Sequence, residues 1–216
     1  MHELLEWINP EKIIHEGGIY LLAFVIFAET GLFVGFFLPG DSLLFVAGLC
    51  CSPDPQTGEV YINTHFVVVI IVLIICAILG NLTGYAFGKW MGKSLYQRKD
   101  GILFKKKYLT MTENYYARHG TKTIFIGRFL PIIRTFAPIL AGVIRMNFNR
   151  FFMYTLVGAV AWITTFVTIG YSLGQVEGVR DNLKWIVIGL IAITLVPVAL
   201  TYFKERKLAK ERKNNG

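Results

Sequence analysis

Four ionisable side chains interrupt sequence that is otherwise strongly apolar. Glu29 and Asp41 lie in one stretch, Arg128 and Arg134 in another. A charge at the centre of a bilayer costs about 2.5–3.5 kcal/mol on insertion scales, so four of them need a reason. Arginine presents a planar fork that suits two phosphate oxygens, and it keeps its proton. Arg128 and Arg134 are six residues apart and need not share one helical face, but a break at Pro131 between them lets both point into one cavity. They are candidate ligands for the phosphate of an anionic head group. Neighbouring helix N-termini would add partial positive charge. Glu29 and Asp41 are candidates to take up a proton as the phosphate moves and to pair with the arginines when it leaves. The alternative is a purely structural set of ion pairs, yet buried pairs are often no better for stability than apolar replacements.

The surrounding elements are membrane elements. Of the 216 residues, 54% are hydrophobic and only 17% charged, against about 25% charged in an ordinary soluble domain. Phe66–Gly88, Phe151–Val176 and Trp185–Phe203 carry no formal charge over 23, 26 and 19 residues, and a spanning helix needs about 20. The two charged stretches differ. Their apolar pieces are broken by Glu29, Pro39, Gly40 and Asp41 in the first, and by Arg128, Pro131, Arg134 and Pro138 in the second. Pieces of about 10–14 residues suit re-entrant segments.

The expected organisation is a single all-α membrane domain. An N-terminal interfacial segment covers 1–18, with Leu4, Leu5, Trp7 and Ile8 as its apolar side, and a first re-entrant hairpin covers 19–53. A span follows at 64–88, then a cytoplasmic interfacial segment at 89–122, in which Thr112 can cap a short helix that stops near Gly120. A second re-entrant hairpin covers 123–146, spans follow at 151–175 and 185–203, and a basic tail covers 204–216. Glu3, Glu6, Glu11 and Glu16 near the start are the reverse of a secretory signal peptide.

The basic residues set an orientation. With both hairpins returning to the side they entered from, 17 of the 22 Lys and Arg fall on one face. That face is the cytoplasm by the positive-inside rule, which places the C-terminus inside and the N-terminus outside. The net charge of +8 is explained by this flanking pattern and by anionic lipid, so no nucleic-acid partner is expected.

The chain also repeats itself. Phe37-Leu38-Pro39 precedes Ala47-Gly48, and Phe129-Leu130-Pro131 precedes Ala141-Gly142. Each hairpin is followed by a span that ends alike, with Gly84-Tyr85 and Gly88 in one copy and Gly170-Tyr171 and Gly174 in the other. The first hairpin enters from outside and the second from inside, which makes an inverted repeat of the kind found in secondary transporters, whose broken helices meet at the midplane. The ladder Gly80, Gly84, Gly88, Gly92 reads as close helix packing.

At these residues the sequence resembles the DedA family, also described as the VTT or SNARE-associated domain. The matching stretches are Glu29-Thr30, Leu38-Pro39-Gly40-Asp41-Ser42-Leu43-Leu44 with Ala47-Gly48, and Gly80 with Gly84-Tyr85 and Gly88. The most specific is Gly127-Arg128-Phe129-x-Pro131-x-x-Arg134, continued by Pro138, Ala141-Gly142, Met146, Phe151 and Trp162. The resemblance runs from about residue 15 to 205. It implies a bacterial cytoplasmic-membrane protein that moves lipids between leaflets: undecaprenyl phosphate returned to the cytoplasmic leaflet, or phospholipids such as phosphatidylethanolamine, with scrambling in eukaryotic relatives. It also implies that Glu29, Asp41, Arg128 and Arg134 are essential. Many members carry an acidic residue where this chain has Asn81, which puts a proton relay through that position in doubt.

The leading expectation is therefore a flippase for an anionic lipid, undecaprenyl phosphate first, with protons or the membrane potential as coupling options. The alternatives are a phosphatidylethanolamine-type flippase or scramblase, and a non-transporting structural or assembly factor. An enzyme is not expected. The four histidines (His2, His15, His65, His119) fall at loop or interface positions away from the arginines. No metal or cofactor is expected either, and Cys50, Cys51 and Cys76 have neither metal spacing nor a disulfide framework. A homo-oligomer is compatible with the sequence.

Overall fold

A computed structural model describes residues 10–31, 40–62, 64–92, 94, 106–126 and 131–179, with 182, 185, 186 and 189. Among the described residues there are seven α-helices and no strand. In chain order they are α1 (Pro10–Gly31), α2 (Gly40–Cys51), α3 (Phe66–Met91), α4 (Lys106–His119), α5 (Thr123–Ile126), α6 (Pro131–Val143) and α7 (Phe148–Leu173). The basic tail and the expected span at 185–203, apart from isolated positions, lie outside the described residues, as do Pro39 and Arg128.

The helices α3 and α7 are each 26 residues long. At 1.5 Å per residue that is about 39 Å, more than the roughly 30 Å of bilayer hydrocarbon. α3 opens with a β-branched run, a weak helix former in water; in lipid the helix wins because every backbone group must be bonded within the segment. Only 28% of the most apolar stretch of α3 and 33% of that of α7 is buried. The outward faces carry Val67, Ile71, Ile75 and Leu79 on one, and Met153, Val157, Val160 and Ile169 on the other. A core helix of a soluble protein would hide such residues; here they form the apolar coat of a membrane protein. Both ends are capped. The His65 ring nitrogen accepts from the Val67 amide at 3.3 Å. Asn147 Oδ1 accepts from the Asn149 and Arg150 amides at 3.1 and 3.3 Å.

The two spans run antiparallel. Phe66, where α3 begins, meets Tyr171 near the end of α7, with ring centroids 4.5 Å apart. Tyr85, late in α3, stacks on Phe151 at the start of α7 at 4.6 Å.

Each short helix packs on the span of the other half, α2 on α7 and α6 on α3. The seams are glycines. A Cβ on Gly48 would strike the backbone at Val167 and Tyr171, and one on Gly170 the backbone of Phe45. In the other half a Cβ on Gly142 would strike Tyr85, Gly88 and Lys89, and one on Gly88 the backbone of Ile139. Along the first seam Phe45 lies at Gly170 and Ser52 at Gly174, so α2 runs in the same sense as α7. Along the second Pro138 lies at Gly84 and Gly142 at Gly88, so α6 runs with α3. Because the spans oppose each other, α2 and α6 do too.

Two expectations need correction. Pro138 does not break the second hairpin: it lies inside α6, which continues to Val143. A proline there lacks the amide that would bond the Arg134 carbonyl four residues back, but Phe136, Ile139 and Leu140 pack against Leu109 of α4 and hold the helix together. Thr112 does not start a helix either. α4 begins at Lys106 and Thr112 is fully buried within it. The burial of Leu109 extends the helix towards its start. The stop near Gly120 is present, at φ +61°. Within α1 a kink falls at Gly18, φ +53° and ψ −152°.

Filling a seam should separate the halves. Gly48→Leu or Gly142→Leu is expected to destabilise by about 1–3 kcal/mol or more through overpacking, whereas Ala86→Leu on the exposed face of α3 should be near neutral. Thermal unfolding of the purified protein in detergent reads this; equal melting temperatures for all three variants would contradict the packing.

Candidate functional site

The charged residues meet where the short helices begin. Asp41 lies in the first turn of α2. Arg134 lies in the first turn of α6, which starts at Pro131, a residue suited to a first helical position because its missing amide needs no partner there. Glu29 is two residues from the end of α1. Three segments far apart in sequence thus supply one cluster. The positive ends of α2 and α6, two helices of opposite sense, converge on it.

Arg134 holds the cluster together. One terminal nitrogen, Nη1, donates to Asp41 Oδ1 at 2.8 Å, and the other, Nη2, donates to Glu29 Oε1. Trp162, from the middle of α7, donates its indole N–H to the same Asp41 oxygen at 2.8 Å. The guanidinium also lies over the Trp162 ring, 4.8 Å from its centroid, in cation–π contact. Arg134 Nε and the hydroxyl of neighbouring Ser42 are buried with no hydrogen-bond partner among the described residues. The side chains of Glu29, Arg134 and Asp41 are 0%, 6% and 21% exposed, so Asp41 is the least enclosed of the three.

Depth follows from α7. Trp162 lies 14 residues after Phe148 and 11 before Leu173, about 21 and 16 Å from the two ends. The ion bridge is therefore at mid-span. Small residues make room for it. A Cβ on Gly40 would occupy the place of the Glu29 carboxylate, and one on Gly80 the place of the Thr30 hydroxyl and the Phe27 carbonyl. Gly40 thus leaves space for the acid, and Gly80 brings the end of α1 against α3. Thr30 satisfies its own hydroxyl on the Ile26 carbonyl at 2.8 Å.

Of the sequence-predicted residues, the structure brings together Glu29, Asp41 and Arg134, with Gly40 beside them. Arg128 and Pro39 lie outside the described residues. Asn81 is buried, and its amide nitrogen donates to Ala77 of its own helix at 2.9 Å. Trp162 had no assigned role. The signal for it was available: an indole is a donor only and favours membrane interfaces, so a tryptophan in the middle of a long uncharged block needs a buried acceptor. Among the described residues no group of three His, Cys, Asp or Glu could hold a metal ion.

Residues 38–172 match the VTT domain family. The chain belongs to this family. Among its relatives, Protein DedA of Escherichia coli strain K12 is 37% identical over 205 residues, covering 94% of this chain and 91% of that one. A membrane protein of Mycobacterium leprae is 34% identical, covering 90% and 83%. Inner membrane protein YqjA of Escherichia coli is 30% identical with the same coverage, 90% and 83%. No solved structure matches. The VTT match contains Asp41, Arg134 and Trp162 and begins after Glu29, whereas the similarity to DedA covers nearly the whole chain.

The bridge makes a stability prediction for this DedA-family protein. Arg134→Met should destabilise by about 3–5 kcal/mol, because two carboxylates lose their partner. Combining it with Glu29→Gln and Asp41→Asn should recover most of that loss in a thermal melt. A triple variant as unstable as Arg134→Met alone would mean that charge desolvation is not what the bridge offsets.

Proposed function

We propose that this protein carries a phosphate-bearing lipid head group between leaflets through the mid-span cluster. The observation that carries the reading is the engagement of Arg134 by Glu29 and Asp41 at the level of Trp162, with the first turns of α2 and α6 beside it. A phosphate that reaches this depth needs a cation, and Arg134 supplies the fork that suits it. Its two carboxylates act as a stand-in anion: they keep the guanidinium paired when no lipid is present and yield it when one arrives. Arg128 is the second arginine assigned to this role.

The architecture that goes with this reading is an inverted repeat. The stretches 19–53 and 123–146 are re-entrant hairpins entering from opposite sides, with the charged residues near their tips. Antiparallel spans and the reciprocal packing of α2 on α7 and α6 on α3 support it. The orientation with an outside N-terminus and a cytoplasmic C-terminus, in a bacterial cytoplasmic membrane, belongs to the same reading.

Undecaprenyl phosphate is the first substrate to test, because a phosphomonoester offers an arginine three free oxygens and up to two negative charges, against two oxygens and one charge in a phosphodiester. One observation favours the phosphatidylethanolamine-type alternative. The described cluster holds two carboxylates against one guanidinium, and a head group with both an ammonium and a phosphate would satisfy both signs. Proton coupling enters through the same count: when phosphate takes Arg134, Glu29 and Asp41 need a proton, an ammonium or Arg128.

The experiment is leaflet exchange of labelled undecaprenyl phosphate and phosphatidylethanolamine in vesicles holding the purified protein. Arg134→Ala should slow exchange by roughly 30-fold or more, the loss expected when one partner of a buried charge pair is removed, and Arg128→Ala should slow it as well. Glu29→Gln and Asp41→Asn should lose the dependence on pH or membrane potential. Full activity of Glu29→Gln across the pH range would remove the proton-carrier role. No exchange of either lipid by folded wild-type protein would favour a structural or assembly role instead.

A further inference from the structure

A groove of about 750 Å³ opens on the outer face of α7, away from the ion bridge. Its rim carries Lys122, from the 3-10 turn Gly120–Lys122 before α5, and Arg150, from the first turn of α7. Its walls are Phe125, Met153, Tyr154 and Val157. Arg150, Tyr154 and Val157 recur at helical spacing on one face of α7. Both cations are exposed, and Met153 and Val157 are more than half exposed.

The order along α7 is the order along a lipid. Arg150 stands two residues into a spanning helix, at the membrane edge, and Lys122 joins it there from a different segment. Val157 lies seven residues further in, about 10 Å towards the midplane. Charge sits at the mouth and apolar surface below it, inside a concavity whose size suits a bound small ligand. Lys122 comes from the turn before α5, and α5 packs against α7, so the backbone that carries each cation is held beside the apolar walls.

We infer that this groove is a docking site for an anionic phospholipid, with its head-group phosphate between Lys122 and Arg150 and one acyl chain along Met153 and Val157. Two cations at the rim select anionic lipid over zwitterionic lipid, since each basic residue near a membrane surface favours anionic head groups. The groove is separate from the bridge. Arg150 and Trp162 are 12 residues apart on α7, about 18 Å along the axis and about 120° round it.

The test uses the full-length protein in vesicles containing phosphatidylglycerol with a diazirine in the middle of one acyl chain. Photolysis followed by peptide mass spectrometry should place label on the Met153–Val157 stretch. The same diazirine on phosphatidylcholine should label it far less. Lys122→Gln and Arg150→Gln should each lower the phosphatidylglycerol label about fivefold. Val157→Trp, which fills the groove with the rim left intact, should remove it, and label near Ile75 on the exposed face of α3 serves as the internal standard. Equal labelling by both lipids, or labelling unchanged in the rim and groove variants, would overturn the site. A photoreactive residue at position 157 that cross-links to the segment 185–203 would also overturn it, because the chain's own last apolar stretch would then be the occupant. The readout is labelling rather than leaflet exchange, so its failure is distinct from a failure of the transport reading.

Discussion

Placing charge in the middle of a membrane is the constraint on which the rest of this molecule depends. Glu29, Asp41 and Arg134 could not remain ionised there singly at tolerable cost. Each is made tolerable by the others, and the Trp162 indole supplies a further donor to the carboxylate with the greater exposure. The arrangement is not a cheap way to build stability, since buried ion pairs rarely outdo apolar packing. It stands beside a core that already contains Leu22, Ile26, Leu44, Leu73 and Ile163. A guanidinium engaged by two carboxylates is a cation whose partners can be exchanged.

Bringing three segments to one point at mid-span needs helices that begin or end there. Helices of 12 and 13 residues do this: α2 and α6 are about 18–20 Å long and start at the cluster. Helix ends in lipid leave backbone groups unsatisfied unless protein covers them. The reciprocal packing supplies that cover, because each short helix is held by the span of the other half across backbone-to-backbone contacts that only glycine permits. Gly48 with Gly170, and Gly142 with Gly88, are thus part of the same design as Arg134 although none of them touches it.

Much of this is legible in sequence for a physical reason. Long uncharged blocks can be little else than membrane helices, so α3 and α7 appear within three residues of their expected ends. Isolated charges in apolar sequence must find each other, which is why Glu29, Asp41 and Arg134 could be grouped without knowing their contacts. The repeated glycines betray close packing, but their partners are not readable: nothing local to Gly48 says that Tyr171 faces it. Pro138 misled because its effect depends on context. A proline in a helix costs a backbone bond, and whether that ends the helix depends on packing from α4, an element distant in sequence. Thr112 misled in the same way, a good capping residue type overruled by the burial of Leu109. Trp162 in mid-block announces the need for a buried acceptor but not which one, since Asp41 lies 121 residues away.

The geometry of α7 also keeps two environments apart. Its inward face presents Phe151, Thr155, Ala159 and Trp162, all buried, while Met153 and Val157 face outward. Arg150 and Trp162 are about 18 Å apart along the helix and about a third of a turn apart around it. Asp41 is the least enclosed side of the cluster, the most exposed of the three charged residues and the one bonded both to Arg134 and to Trp162. Motion of α2 relative to α7 would break the Asp41–Trp162 contact and loosen Arg134 in one step, and the glycine seam between those helices is where such motion would be felt first.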